Sequence, residues 1–264
     1  MNESQYAIQT QNLTRRFDTL VAVNQLNLHV PRGVIFGFLG PNGAGKSTTI
    51  NMLIGVLPLT QGQAMVAGYD VQKQPLEVKQ HIGVVPEGLG LYQRLTATEQ
   101  IELVGRLHGL PVSEIRARIP SLLALLDLEE TAGKMILDYS QGMLKKTALA
   151  CALIHAPEIL FLDEPFESVD PISTKAIKAV LRDMVKQRGT TVFFSTHVME
   201  LAERFCDQVG IINKGRLIAA GDVPTLREQA QLPADASLED VFVRLVGTET
   251  EDEGLLSWLT NREG

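Results

Sequence analysis

The sequence predicts an α/β fold whose strands and helices alternate on both sides of a purely helical middle segment. Short apolar strand patterns alternate with helical patterns over residues 6–85 and again from residue 159 onward. A glycine-rich turn at residues 40–45 joins a continuous apolar run to a helical run. Between Thr96 and Ala156 the sequence shows no strand pattern. Alternation of this kind is typical of α/β domains, and the middle segment is then a helical insertion.

The N-terminal third contains strand patterns before and after the glycine-rich turn. The run at 34–39 is continuously apolar, as expected for a buried strand. Within 21–30 the residues Leu26, Leu28 and Val30 alternate with polar ones, as in a half-buried strand. The patterns of this third predict strands at 6–10, 21–30, 34–39, 64–67 and 82–85, and a helix at 46–57.

Two helices are predicted at the start of the middle segment. Thr96, with Glu99 three residues later, forms a capping box, and the helix that follows extends to His108. The next helix starts near Ser113. We expect Pro120 to interrupt or kink it, because proline lacks the N–H that an interior helical position uses.

The α/β alternation resumes after residue 158. Asp170 is a good N-cap residue, and Pro171 after it favours the first helical position. The turn at 213–215 favours a β-hairpin. This part of the chain is predicted to form strands at 159–162, 191–195, 209–212 and 216–219, and helices from Pro171, at 198–205, after Asp222 and after Ser237. Residues 248–264, which include Trp258, are predicted to form a loosely held acidic tail.

Composition and charge exclude several classes of protein. Of the 264 residues, 45% are hydrophobic, which suffices for a substantial core. No apolar run approaches the ~18 residues needed to span a bilayer, and residues 1–5 lack a secretory leader pattern, so we expect a cytoplasmic location. The formal net charge of −7 argues against binding to nucleic acid. The basic pairs Arg15-Arg16 and Lys145-Lys146 are expected to be solvated faces.

The turn before the helix at 46–57 matches the phosphate-binding pattern G-x-x-x-x-G-K-[ST], and it lies between a strand and a helix, as that pattern requires. Its backbone N–H groups and the helix N-terminus can face phosphate oxygens. Lys46 is predicted to contact the β- and γ-phosphates, and Ser47 to bind Mg²⁺. The alternative is a glycine-rich turn that contains a lysine by chance. The predicted nucleotide-binding residues of this loop are Gly40, Pro41, Asn42, Gly43, Ala44, Gly45, Lys46, Ser47 and Thr48.

The predicted strand at 159–162 ends in two carboxylates, Asp163 and Glu164. Apolar strands that end in acidic residues are common, so the pair by itself is ambiguous. Parallel α/β sheets bind ligands at the carboxyl ends of their strands, which favours a position beside the phosphate loop. Asp163 is then predicted to hold Mg²⁺ through water. Glu164 is predicted to polarise the attacking water, a role worth ~10²–10⁴-fold in rate.

Four further segments indicate which class of phosphate-loop protein this is. They are residues 82–87, 139–143, 168–170 and 195–197. In this order they resemble the Q-loop, the signature motif, the D-loop and the switch-histidine loop of the ATP-binding subunits of ABC transporters. The resemblance runs from about Tyr6 to Gly247, and residues 237–242 look like the export-type branch of that family.

That resemblance implies a fold and an assembly. The fold would be a P-loop NTPase core, RecA-like and of ABC type, with an antiparallel β subdomain and an inserted α-helical subdomain at about 88–157. Residues 1–247 would form the ATPase domain and 248–264 the acidic tail. The cofactors would be ATP and Mg²⁺. The partners would be a second ATPase subunit, with a homodimer expected, and an integral membrane permease that holds the chain at the cytoplasmic face of the membrane.

The resemblance also implies roles for single residues. The signature segment of one subunit would close over the ATP held by the other subunit, with contacts from Ser140, Gln141 and Gly142. Phe17 would lie against the adenine, although an aromatic residue near a strand end often serves packing alone. His197 would contact the γ-phosphate and help hold the attacking water. The implied catalytic residues are therefore Glu164, His197 and Lys46.

Three segments depart from the commonest pattern of the resembled family. Glu87 replaces the Q-loop glutamine, Ser168 replaces a D-loop glycine, and residues 139–143 read Tyr-Ser-Gln-Gly-Met rather than Leu-Ser-Gly-Gly-Gln. A carboxylate at Glu87 can still meet Mg²⁺, directly or through water. The implied metal ligands are Ser47, Asp163 and Glu87.

The stretch after Glu87, residues 88–95, is apolar and contains glycine. In the resembled family this region receives a short cytoplasmic helix of the permease. We expect Leu89, Leu91 and Tyr92 to form part of that docking surface, and Leu95 to pack inside the helical subdomain.

Two other classes of function are compatible with a phosphate loop. A soluble ABC-type ATPase would act on a ribosome or on DNA, but such relatives usually carry two cassettes or a long coiled coil, and this chain has neither. A different P-loop enzyme, such as a small-molecule kinase, has no use for the signature segment or His197. The sequence does not identify the cargo, because selectivity lies in the membrane subunit, and it is compatible with both a homodimer and a heterodimer.

Overall fold

The computed structural model describes residues 5–247, and the predicted acidic tail at 248–264 lies outside them. The N-terminal third is rich in strands. Its strands are β1 (Tyr6–Phe17), β2 (Leu20–Leu26), β3 (His29–Pro31), β4 (Ile35–Leu39), β5 (Gln61–Val66), β6 (Tyr69–Asp70) and β7 (Ile82–Val85), and its helices are α1 (Lys46–Leu53) and α2 (Pro75–His81).

The rest of the described chain begins with helices and then returns to α/β alternation. The helices of the middle segment are α3 (Ala97–Leu107), α4 (Val112–Leu125) and α5 (Gln141–Leu153). They are followed by β8 (Ile159–Asp163), α6 (Pro171–Arg188), β9 (Thr191–Thr196), α7 (Met199–Phe205), β10 (Gln208–Asn213), β11 (Arg216–Gly221), α8 (Val223–Gln229) and α9 (Leu238–Val246). Among residues 5–247, no helix combines the length and the apolar character that crossing a bilayer requires.

Two sheets organise these elements. The larger sheet has the strand order β11-β10-β4-β9-β8-β7. Its strands run parallel except for β11, which pairs antiparallel with β10. In the other sheet β1 pairs antiparallel with β2, β3 and β5, and β6 pairs with β5. The parallel sheet therefore brings the carboxyl ends of β4, β9 and β8 side by side, at the edge where α/β proteins bind ligands.

Aromatic side chains fill one face of the parallel sheet. Phe36, Phe38, Phe161 and Phe193 are fully buried. The rings of Phe36 and Phe193 stack with their centroids 5.5 Å apart. The same buried cluster contains residues of β1, β3 and β5, so the antiparallel sheet covers this face. Helices α3 to α6 contribute to a second cluster, which includes residues of β8 and β9.

The predicted strand at 21–30 is two strands, and Thr10 accounts for the break between them. Its N–H donates to the carbonyl of Leu28 at 2.8 Å. Its hydroxyl donates to the carbonyl of Leu26 at 2.9 Å and accepts from the N–H of Leu28 at 2.8 Å. A side chain thus replaces the regular backbone pairing, which the alternation of apolar residues does not reveal.

Helix α1 is shorter than predicted, and α2 and β6 were not predicted. Helix α1 ends at Leu53 rather than at residue 57. Gly55 accounts for this end, because it takes a left-handed conformation with φ 71 and its N–H donates to the carbonyl of Met52 at 3.1 Å. Within α2 only Val78 is buried, so the helix lacks the apolar stripe by which a helix is recognised in a sequence.

Helix α4 continues through Pro120, so of the two expected effects of this proline, an interruption or a kink, the interruption is wrong. Pro120 removes one backbone donor, but Ile115, Ile119 and Leu123 are all buried along the helix. These three residues recur at spacings of four and lie on one face of the helix. The burial of that face stabilises the helix across the missing hydrogen bond.

Candidate nucleotide site

The phosphate loop runs from the end of β4 to the first turn of α1, in the middle of the parallel sheet. Two of its glycines have no room for a side chain. A Cβ on Gly40 would lie 2.3 Å from the carbonyl oxygen of Ile212, and a Cβ on Gly45 would lie 2.6 Å from that of Ala22. Gly45 also has a φ of 104, which favours glycine. The neighbouring backbone of β10 and β2 therefore requires glycine at both positions.

Lys46, the first residue of α1, is buried with 6% of its surface exposed. Its ammonium donates to the carbonyl of Gly40 at 2.8 Å and to that of Pro41 at 3.3 Å. The same Nζ lies 3.3 Å from Oε1 of Glu164. The lysine thus holds the turn of the phosphate loop and joins it to the end of β8.

Asp163 and Glu164 are joined to the neighbouring strand β9 by one hydroxyl. Ser195 lies beside Asp163 in the parallel register. Its Oγ donates to Oδ1 of Asp163 at 2.5 Å and accepts from the N–H of Glu164 at 3.0 Å. Asp163, Glu164 and Ser195 are all buried. Ser195 belongs to a segment recognisable in the sequence, but its role is not recognisable there, because the pairing of β8 with β9 is a tertiary feature.

The Glu164 carboxylate lies between a lysine and a histidine. Oε2 is 3.3 Å from Nδ1 of His197, and Oε1 is 3.3 Å from Nζ of Lys46. The Lys46 contact is a charge contact rather than a hydrogen bond, since the buried Oε1 has no hydrogen-bond partner within the described residues. Glu164 lines the cavity, where a carboxylate is suited to accept a proton from water.

A cavity of about 690 Å³ opens beside these groups. It brings together side chains from β1, the phosphate loop, the end of β8 and the end of β9. The predicted site residues that line it are Phe17, Pro41, Asn42, Gly43, Gly45, Lys46, Ser47, Thr48, Glu87, Glu164 and His197. Gly40, Ala44 and Asp163 do not line it, and all three are buried. Glu167 and Lys214 also line the cavity, and neither belongs to a motif that predicted the site.

Phe17 lies at the mouth of the cavity with 39% of its surface exposed. The guanidinium carbon of Arg15 lies 4.4 Å from the centre of the Phe17 ring, a cation–π contact. Arg15 also donates to the carbonyl of Pro58 at 2.9 Å. Arg15 is therefore packed against its neighbours, whereas Arg16 is exposed as expected.

The signature residues do not line the cavity of their own chain. Ser140 and Gln141 are exposed at the start of α5, where the Ser140 hydroxyl accepts from the N–H of Met143 at 3.3 Å. Gly142 is buried, and a Cβ there would lie 2.7 Å from Oγ of Ser173 and 2.9 Å from a carboxylate oxygen of Asp170. Gly142 thus allows the start of α5 to approach the start of α6.

The residues predicted to hold Mg²⁺ offer a hydroxyl and carboxylates, which are ligands suited to that ion. Ser47 and Glu87 line the cavity, and Asp163 is buried beside it. Within residues 5–247, no three His, Cys, Asp or Glu side chains form a cluster able to hold a metal. One hydroxyl and two carboxylates fit a Mg²⁺ that takes its other ligands from nucleotide phosphates, as is usual for this ion.

Comparison with known proteins finds close relatives. The sequence profile of the family described as "ABC transporter" matches residues 23–167. The chain is 36% identical over 241 residues to the "Probable multidrug ABC transporter ATP-binding protein YbhF" of Escherichia coli, an alignment that covers 90% of this chain and 41% of YbhF. The chain therefore spans less than half of that relative.

A second relative and a solved structure are similar over most of their length. The "Linearmycin resistance ATP-binding protein LnrL" of Bacillus subtilis is 37% identical, and the alignment covers 81% of this chain and 68% of LnrL. A solved structure described as "Structure of ATP binding subunit of ABC transporter" is 31% identical with a TM-score of 0.84. That similarity covers 91% of this chain and all of the other.

Proposed function

This chain belongs to the ABC transporter family, and from that premise we propose that it hydrolyses ATP as one of two ATP-binding subunits that power a separate membrane permease. The observation that carries the proposal is the position of the Glu164 carboxylate, 3.3 Å from both Lys46 and His197 beside the cavity. On this proposal the chain works at the cytoplasmic face of the cell membrane. The relatives named for multidrug transport and linearmycin resistance support export as the direction.

The chemistry assigned to the site uses groups that the cavity brings together. The N–H groups of the phosphate loop and the Lys46 ammonium would bind the phosphates, while Phe17 would lie against the base. Bound Mg²⁺, held by Ser47 with Asp163 and Glu87, would neutralise charge on the phosphate oxygens. Glu164 would accept the proton of the attacking water, and His197 would keep that water in place.

The position of the signature segment supports a second subunit. Ser140 is exposed and lies outside its own chain's cavity, yet a serine hydroxyl at the start of a helix is suited to bind phosphate. Contact between this segment and the nucleotide of a second copy would give it that role. We propose a homodimer, in which two such contacts form symmetrically.

The dependence of ATP hydrolysis on protein concentration tests this proposal. We expect the rate per chain to fall on dilution, as measured by phosphate release, in step with loss of the dimer in analytical ultracentrifugation with ATP. The reason is that a site completed by a partner is lost when the partner dissociates. Full-rate hydrolysis by a demonstrated monomer, or no ATP binding at all, would contradict it.

A second cavity, of about 720 Å³, supports the proposed contact with the permease. It is an apolar groove between the parallel sheet and the helices of the middle segment. Leu89 and Leu91 line it, and the exposed apolar side chains of Val56, Leu76 and Leu107 line it too. Tyr92 is 63% exposed but does not line the groove. A contiguous exposed apolar surface of this kind is typical of a protein-binding site.

Charged substitutions in this groove are expected to weaken binding to the permease. For Leu89→Glu and Leu91→Glu, we expect co-purification with the membrane subunit to drop about tenfold or more while ATP affinity stays within about twofold, since a buried unpaired carboxylate is costly at an interface. Val243→Glu is the matched control, because Val243 is a partly exposed apolar residue of α9 that does not line the groove. Equal co-purification of all variants would reject the docking surface.

A further inference from the structure

Lys145 is buried, so the expectation that the basic pair at 145–146 is a solvated face is wrong. Only 7% of Lys145 is exposed, although it lies on α5, one turn after the exposed Ser140 and Gln141. Its ammonium donates to the backbone carbonyl of Glu164 at 2.9 Å. Its side chain lies against a small apolar space that Leu149 and Leu162 also line.

The backbone of Glu164 needs support from its surroundings. Its φ is 46, in the left-handed region that residues with a Cβ rarely adopt. Ser195 binds the N–H of Glu164 at 3.0 Å, and Lys145 binds the carbonyl on the other side of the same residue. A residue in a left-handed conformation persists when its surroundings hold it on both sides.

We propose that Lys145 is a positioning residue for ATP hydrolysis, which acts by fixing the backbone of Glu164 so that its carboxylate points between Lys46 and His197. This inference rests on the proposed function, because it assumes that Glu164 is the base. It adds a residue that does not line the nucleotide cavity. It also joins α5, the helix that starts with the signature segment, to the residue that carries out the chemistry.

The charges around Lys145 are consistent with this placement. Burial lowers the pKa of Lys145 below its usual value. The charges of four nearby carboxylates offset part of this effect. They are, from the largest effect to the smallest, Glu167, Glu87, Glu164 and Asp163. Each of the four belongs to the site or to its rim, so Lys145 lies within the acidic group that surrounds the reaction centre.

The neighbouring Lys146 provides a matched control. It is also buried, with 6% exposed, and it is part of the same helix. Its ammonium lies 3.6 Å from a carboxylate oxygen of Asp127, a residue of the middle segment. A lysine-to-methionine change at 146 therefore removes a buried charge of the same kind without touching Glu164.

The test compares Lys145→Met with Lys146→Met in the full-length protein. We expect Lys145→Met to lower kcat about 10- to 100-fold with KM and ATP affinity within about threefold, because a base displaced by about 1 Å loses about that much rate. Lys146→Met should keep kcat within about threefold. Lys145→Arg, which retains a donor, should recover at least about half of the lost activity on a logarithmic scale. A normal kcat for Lys145→Met would overturn the inference.

A double-mutant cycle separates positioning from general destabilisation. If Lys145 acts through Glu164, adding Lys145→Met to Glu164→Gln should lower the residual single-turnover rate by less than about twofold. If Lys145→Met lowers the rate equally in the wild type and in Glu164→Gln, the inference is overturned. If the methionine variant unfolds, Lys145→Gln serves as a second variant, because its amide stops one atom short of the ammonium position. A normal kcat for Lys145→Gln would also overturn the inference. A wild-type protein that does not hydrolyse ATP would instead reject the proposed function.

Discussion

The Glu164→Gln variant is expected to bind ATP and persist as a dimer but to hydrolyse ATP at least ~10²-fold more slowly than the wild type, the range set by loss of a general base. Glutamine matches glutamate in size, so the packing around the side chain is kept, whereas the charge contact with Lys46 is lost. The amide cannot accept a proton from water. The carboxylate it replaces is buried, and one of its oxygens has no hydrogen-bond partner within residues 5–247.

Three measurements check this result: phosphate release, equilibrium ATP binding, and size-exclusion chromatography in the presence of ATP. The control is Glu158→Gln. Glu158 lies just before the first residue of β8, at the end of the strand away from Glu164, and it forms an ion pair with Arg32 at 2.8 Å. It should hydrolyse ATP at the wild-type rate. Near-normal turnover in Glu164→Gln would assign the role of base to another group.

Replacing Lys46 with methionine is expected to weaken ATP binding about 100-fold. Charge-assisted hydrogen bonds are worth about 1.5–3 kcal/mol each, and tenfold in affinity corresponds to about 1.4 kcal/mol. Methionine keeps the aliphatic stem of the buried side chain. It also removes the bonds from the ammonium to the carbonyls of Gly40 and Pro41, so the phosphate loop loses two of its own contacts as well.

Equilibrium dialysis with labelled ATP measures the loss directly. Lys73→Met is a suitable control, because Lys73 has 77% of its side chain exposed and its ion pair is with Asp70. That variant should bind ATP like the wild type. An unchanged affinity in Lys46→Met would place the triphosphate elsewhere in the molecule.

The elements that the sequence predicted best are those whose signals are local. The capping box of Thr96 and Glu99 and the N-cap at Asp170 are both present in the structure, because these bonds join residues close in the chain. The strand at 82–85 has the predicted bounds. Helix α4 shows the limit of such signals: Pro120 is a local sign of a helix break, and burial of one face of the helix overrides it.

The residues of the candidate site also divide into those recognised from local signals and those that only the folded chain reveals. Lys46, Glu164 and His197 were recognised from short motifs in the right order along the chain, and the parallel sheet brings the three together. Nothing in the motifs indicates that Ser195 would hold the Glu164 N–H or that Lys145 would hold its carbonyl. Those two contacts depend on the packing of β9 and α5 against the end of β8.

The sequence by itself determined the chemistry of this protein: a phosphate loop, two carboxylates after an apolar strand, and a histidine two residues after Ser195. Motifs of this kind can be recognised in a sequence because the ligand sets the residue types and their spacing. Only the tertiary structure decided which lysine of the 145–146 pair contacts Glu164, since two adjacent residues of one helix point in directions about 100° apart. That choice depends on what packs against each side of α5, and this is a property of the folded chain.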